Sequence, residues 1–219
     1  MFIKLIKRNF SQLNGRHFLG FVLPVLIAAL FFKSYSEIFK GIHIETDLSV
    51  FEIPFVWLLF EWAPYFLFLD LFAETIHSID RYLLGRVKTT RLLFYANFIS
   101  FFGLILFYHL ALYVVTFSFS KDIVMHVLFN LITNFLVSLL AFCLLFFLSS
   151  IYVFTCIIAI YFFSVFQPSY FSLVNYTMGA RMDRVWETTD TIYLAIWVVL
   201  IFFLVIWLKK SYFRVRLYE

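Results

Sequence analysis

Charge is nearly absent from long stretches of this chain. Residues 123–180 run for 58 positions without one Asp, Glu, Lys or Arg, and residues 92–120 for another 29. A bilayer crossing takes about 20 apolar residues, so the longer run predicts two spans with length to spare and the shorter predicts one. Residues 191–208 predict a further span, and two apolar stretches nearer the amino end predict two more. The six predicted spans are 17–38, 54–77, 92–118, 123–147, 150–166 and 191–208. The turn between the fourth and fifth is set at Ser149 and Ser150, where no basic residue marks it. Pro24 and Pro64 fall inside the first two spans and mark expected kinks.

Residues 2–13 follow another pattern. At about 100° per residue, Phe2, Leu13, Ile6, Phe10 and Ile3 share one arc, and Lys7, Ser11, Lys4, Arg8 and Gln12 take the opposite face. A helix over residues 1–15 is therefore expected to lie flat in the headgroup plane, Lys4, Lys7 and Arg8 toward lipid phosphates and Phe10 toward the tails. Asn14 and Gly15 then turn the chain into the first span. The same amphipathic start argues against reading the amino end as a secretory signal.

Composition agrees with a bilayer as the solvent. The chain is 64% hydrophobic and 14% charged, against about 45–50% and about 25% for soluble domains. A soluble enzyme, a nucleic-acid-binding domain and a disordered tail are excluded on those figures. The basic residues gather in three clusters: Lys4, Lys7, Arg8 and Arg16; Arg81, Arg86, Lys88 and Arg91; Lys209, Lys210, Arg214 and Arg216. Lys and Arg beside spans stay on the cytoplasmic side. Both termini and the segment 78–91 are thus expected inside, and the acid-rich stretches outside. Residues 167–190 carry Pro168, Asn175, Gly179 and mixed charge, but their first half is too apolar for a free loop. Short re-entrant or interfacial helices are expected there, covered by protein. Trp57, Trp62 and Trp186 at the outer boundary and Trp207 at the inner one fit an aromatic belt. The fold class is all-α integral membrane, a single domain over 1–219, multi-pass in a bacterial inner or plasma membrane.

Polar groups at membrane depth are the candidate pathway or polar seam. Glu61 lies in the outer half of the second span. Asp70, Glu74, His77 and Arg81 form a stripe along its inner half, about half a turn out of phase with Glu61. Glu74 and His77 have the E-x-x-H spacing of di-iron bundles, but a second such motif and two more carboxylates are missing, so no metal site is predicted. The bland alternative pairs Glu74 and Asp80 with Arg81 and Arg86. In the fourth span His126, Asn130, Asn134 and Ser138 recur every four residues with Thr133 beside them, either a packing seam or a pathway lining. Cys143 and Cys156 both sit in apolar stretches and read as inert thiols.

Nucleotide and hydrolase chemistry is missing from the sequence. It has no G-x-x-x-x-G-K-[ST] loop, GxSxG elbow, HExxH pair or zinc-spaced His/Cys cluster, so the chain is not expected to be an enzyme or to bind a cofactor. The inner segment instead joins Tyr82, Leu83 and Leu84 to Gly85 and a basic run, the pattern of a short helix that docks into a partner's groove.

The whole layout resembles the permease subunit of an ABC-2 type exporter: a flat amino-terminal helix, six spans, both ends inside, a coupling segment between spans two and three, and short helices before span six. The resemblance implies a dimer of permeases, identical or homologous, bound to two copies of a separate ATPase subunit that carries ATP and Mg. Asp80, Arg81, Tyr82, Leu83, Gly85, Arg86, Lys88 and Arg91 would contact that ATPase. The cargo would be amphipathic or hydrophobic (a peptide, an antimicrobial or a lipid-like compound), with spans one, two and five lining its path. A solute-binding membrane subunit of a vitamin importer, an accessory or immunity protein, and a proton-coupled carrier using Glu61 and Asp70 remain as alternatives.

Overall fold

The computed structural model describes residues 2–32, 34–41, 53–77, 90–116, 121–166, 172–178, 181 and 188–215. Among them all regular structure is helical: α1 (Phe2–Ser11), α2 (Gly15–Phe31), α3 (Tyr35–Ile38), α4 (Phe55–His77), α5 (Thr90–Val115), α6 (Lys121–Leu144), α7 (Ser150–Phe166), a 3-10 helix (Leu173–Thr177) and α8 (Thr188–Val215). Segments of α4, α5 and α6 are long and apolar enough to cross a membrane, and a fourth candidate appears if the bent pair α1 and α2 is taken as one. The protein is a helical membrane protein. Helices α2 and α7 have 17 residues each, about 26 Å at 1.5 Å per residue, slightly less than the ~30 Å hydrocarbon core.

The bend between α1 and α2 is 79° and is built locally. Asn14 takes extended backbone, its Oδ1 accepts from His17 N at 3.2 Å, and His17 Nδ1 accepts from Asn14 N at 3.3 Å. This is a reciprocal capping box, with His in the place usually held by Glu or Gln. α2 then continues through Pro24 to Phe31, where Phe32 turns to extended backbone. The predicted span 17–38 is thus divided, its last turn being the separate α3.

α1 is held to the bundle along a face different from the predicted apolar arc. Leu5 and Asn9 are its buried residues, and they pack on the first turns of α5. Asn9 Nδ2 donates to Asn97 Oδ1 at 3.0 Å and to Ser100 Oγ at 3.1 Å. Ile3 and Phe10 are exposed, as are Lys4 and Lys7. Arg8 is only half exposed, donates to Asn9 Oδ1 at 3.0 Å, and has its pKa pulled down by burial. Asn9→Leu is expected to weaken this attachment by about 1–3 kcal/mol, since it leaves buried Asn97 short of a donor. Faster proteolysis or higher deuterium uptake confined to α1 would report it.

The core between α5 and α6 is aromatic. Phe94, Phe98 and Phe102 repeat every four residues on α5, facing Phe135 and Phe142 of α6 and Phe146 just beyond it, and Phe102 meets Phe135 edge-on at 4.5 Å. Inside lipid such rings gain little from leaving water, so close packing and edge-to-face geometry supply the attraction. Much of the Phe content therefore serves packing. Trp57 departs from the predicted aromatic belt: it is 1% exposed and packed at a tilt against Tyr161 in the core. Trp62 is half-buried against Phe162, whereas Trp207 is exposed; Trp186 lies outside the described residues.

Candidate functional site

Chain direction alternates from α4 to α7, so the bundle has two ends. One gathers α1, the start of α2, the end of α4 and the start of α7. The other, the cap end, gathers the start of α4, the end of α5, the start of α6 and the end of α7.

Less than two turns into α4 from the cap end, Glu61 is fully buried. Asn130 Nδ2 donates to its Oε1 at 2.9 Å, and the Tyr161 hydroxyl of α7 donates to its Oε2 at 3.0 Å. Asn134 Nδ2 donates to Asn130 Oδ1 at 2.7 Å, and Tyr65, one turn along α4 from Glu61, donates to Asn134 Oδ1 at 3.2 Å. Ser138 Oγ donates to the Asn134 carbonyl and lies 3.3 Å from the Tyr65 hydroxyl. The donors thus run in one direction, Tyr65 to Asn134 to Asn130 to Glu61, with Tyr161 closing from the other side. Such aligned chains strengthen one another in a low-dielectric interior.

The four-residue stripe on α6 is therefore a bonded seam: Asn130, Asn134 and Ser138 meet Glu61 and Tyr65, and Thr133 is buried beside them. The hydroxyls of Thr133 and Tyr108 and both ring nitrogens of His109 are buried without a hydrogen-bond partner. Among the described residues no group of three or more His, Cys, Asp or Glu is arranged to hold a metal ion.

The cap end is closed by chain between α7 and α8. Every residue from Leu173 to Met178 is buried. Trp57 Nε1 donates to Thr177 Oγ1 at 3.0 Å, and His126 Nε2 lies 3.2 Å from the Thr177 carbonyl. Ser164 Oγ donates to Asn175 Oδ1 at 2.7 Å, and Arg181 donates to the Ser164 carbonyl at 2.9 Å and to Asn175 Oδ1. Burial brings the Arg181 guanidinium down to about 10, so it stays a cation at neutral pH. Within the segment, the backbone N–H groups of Asn175, Met178 and Arg181 donate to the carbonyls of Ser172, Asn175 and Met178, so buried backbone there is bonded within the protein.

At the opposite end Asp70 and Glu74 are exposed and line a cavity of about 520 Å³ with the start of α2. The half-turn offset on α4 thus sends Glu61 to the core and Asp70 to this cavity. Asp80, Arg81, Tyr82, Leu83, Gly85, Arg86 and Lys88 lie outside the described residues; Arg91 falls in the first turn of α5.

Sequence reading missed Tyr65 and Tyr161, which carry no signal among 13 tyrosines. It also missed Asn9 with Asn97 and Ser100, although the three-residue spacing of the latter pair on α5 was available. No family model, curated protein or solved structure matches the chain.

Proposed function

We propose that this chain is the permease subunit of an ATP-driven exporter of ABC-2 type. It crosses the membrane six times with both ends cytoplasmic, and it pairs with a second permease and two copies of a separate ATPase subunit. One observation carries the reading: a flat helix meets the first apolar helix at 79° and is pinned through Asn9 to the first turns of α5. α5 begins where the basic segment 78–91 ends, and α1 packs on its first turns. A push on that segment reaches α4 and, through Glu61, the helices α6 and α7 as one body. The buried 3-10 helix before α8 suits the outer side of such a permease, closing the path until that body moves. The cargo is amphipathic or hydrophobic, because the helices expose apolar side chains over most of their length.

Affinity purification from native membranes is expected to retain an ATPase subunit in about equal numbers with this chain. Arg86→Glu with Lys88→Glu is expected to lose at least tenfold of that retention and of cargo export, while the permease still inserts. If no ATPase is ever retained and the charge reversals leave export intact, the proposal is wrong.

A further inference from the structure

The cavity beside α2 and α4 has a composition the export reading does not use. Arg16 lines one wall and Asp70 and Glu74 the other, with Asn14 at its rim. Neither Arg16 nor Asp70 has an ion-pair or hydrogen-bond partner. Arg16 and Asp70, of opposite sign and sharing one cavity without pairing, leave room for a ligand carrying both signs. The volume, about 520 Å³, lies within the range of small-molecule sites.

Depth and surroundings narrow the ligand. Asp70 and Glu74 lie on the last turns of the apolar segment Phe55–Glu74, about 6 Å apart along the axis, a span comparable to a headgroup layer. α1, the flat helix, ends just before the Asn14 turn. Phe66 and Leu67 continue the lining along α4, and Phe66 is 58% exposed, which offers a path for an acyl chain. Among the described residues the rings of the lining are Phe66 and His17, with no Trp or Tyr. Quaternary ammonium groups are held by aromatic cages; a primary ammonium needs the acceptors that Asp70 and Glu74 supply.

We infer that this cavity binds the headgroup of a zwitterionic phospholipid bearing a primary amine, with phosphate on Arg16 and ammonium between Asp70 and Glu74. The site requires only that this end of the bundle meet a lipid headgroup layer, not that an ATPase be bound.

Native mass spectrometry of the full-length protein, extracted from vesicles holding equal phosphatidylethanolamine, phosphatidylcholine and phosphatidylglycerol, tests it. Phosphatidylethanolamine is expected to be retained at least fivefold over either other lipid. Asp70→Asn is expected to abolish that preference while leaving total lipid unchanged, and Arg16→Gln to reduce retention of all three. Both positions are exposed, so neither change disturbs the core. Soluble phosphoethanolamine at millimolar concentration is expected not to displace the lipid; displacement would make the ligand a free phosphate ester and overturn the lipid assignment. Equal retention of the three lipids, or an unchanged preference in Asp70→Asn, overturns it as well. Failure here leaves ATPase co-purification untouched, and the reverse holds too.

Discussion

Glu61→Ala is expected to destabilise the protein by roughly 2–6 kcal/mol, the largest effect of any polar substitution in the bundle. The carboxylate receives Asn130 Nδ2 and the Tyr161 hydroxyl, and truncation orphans both where no water reaches. An unsatisfied buried donor costs about 1–3 kcal/mol. Hydrogen bonds between membrane helices average nearer ~0.6 kcal/mol in double-mutant cycles, because the unfolded chain in lipid finds other partners. The loss at Glu61 should exceed that average because one side chain serves two helices and anchors the row through Asn134 to Tyr65. Glu61→Gln keeps one acceptor and turns an NH₂ toward the remaining donor, so it should fall between wild type and Glu61→Ala. Thermal unfolding in nanodiscs orders the three. A Glu61→Ala protein within 0.5 kcal/mol of wild type (about the size of an ordinary surface change) would remove the clasp from the account.

Gly41→Ala should be the second largest, at about 2–5 kcal/mol. Gly41 has φ +64°, and a Cβ there would meet Met178 Cγ at 2.4 Å and Met178 Cβ at 2.6 Å. The left-handed backbone costs a residue with a side chain roughly 1–2 kcal/mol, and overpacking adds typically 1–3. Because Met178 Cβ is itself too close, rotating the methionine gives no relief. Met178→Gly in the Gly41→Ala background is expected to recover part of the steric share and none of the backbone share. Cysteine-accessibility labelling at Thr177 in the single mutant, once Cys143 and Cys156 have been replaced, should report a loosened cap end.

The apolar stretches were legible because lipid demands them: α4, α6 and α7 run over Phe55–His77, Lys121–Leu144 and Ser150–Phe166, beside predicted spans of 54–77, 123–147 and 150–166. The break runs over residues 145–149 and ends at Ser150, the first residue of α7, so α6 stops three residues before the predicted end at 147. The division of residues 17–38 was not legible, because the extended backbone at Phe32 leaves no mark in hydropathy. For the site, one ionisable group in an apolar helix pointed to Glu61, and the four-residue repeat pointed to Asn130, Asn134 and Ser138. Their partners Tyr65 and Tyr161 were not readable, since a tyrosine that bonds a buried carboxylate and one that faces lipid look alike in sequence. The face of α1 that packs on α5 was not legible for a related reason. An amphipathic arc ranks hydrophobicity, whereas Asn9 is buried by the geometry of Asn97 and Ser100.

The polar row ties α4, α6 and α7 into one piece, whereas α2 fully buries only Ala28, and in the described part of α8 only Ile201 is buried. A bundle fastened this way has one stiff member: the three helices cannot slide past each other without parting Glu61 from Asn130 and Tyr161. α2 is seated by packing instead, with Gly20 against Leu67 of α4 and Phe21 stacked on Phe107 of α5. Two spin labels placed within the fastened trio should therefore keep one narrow distance distribution, and Glu61→Ala should broaden it.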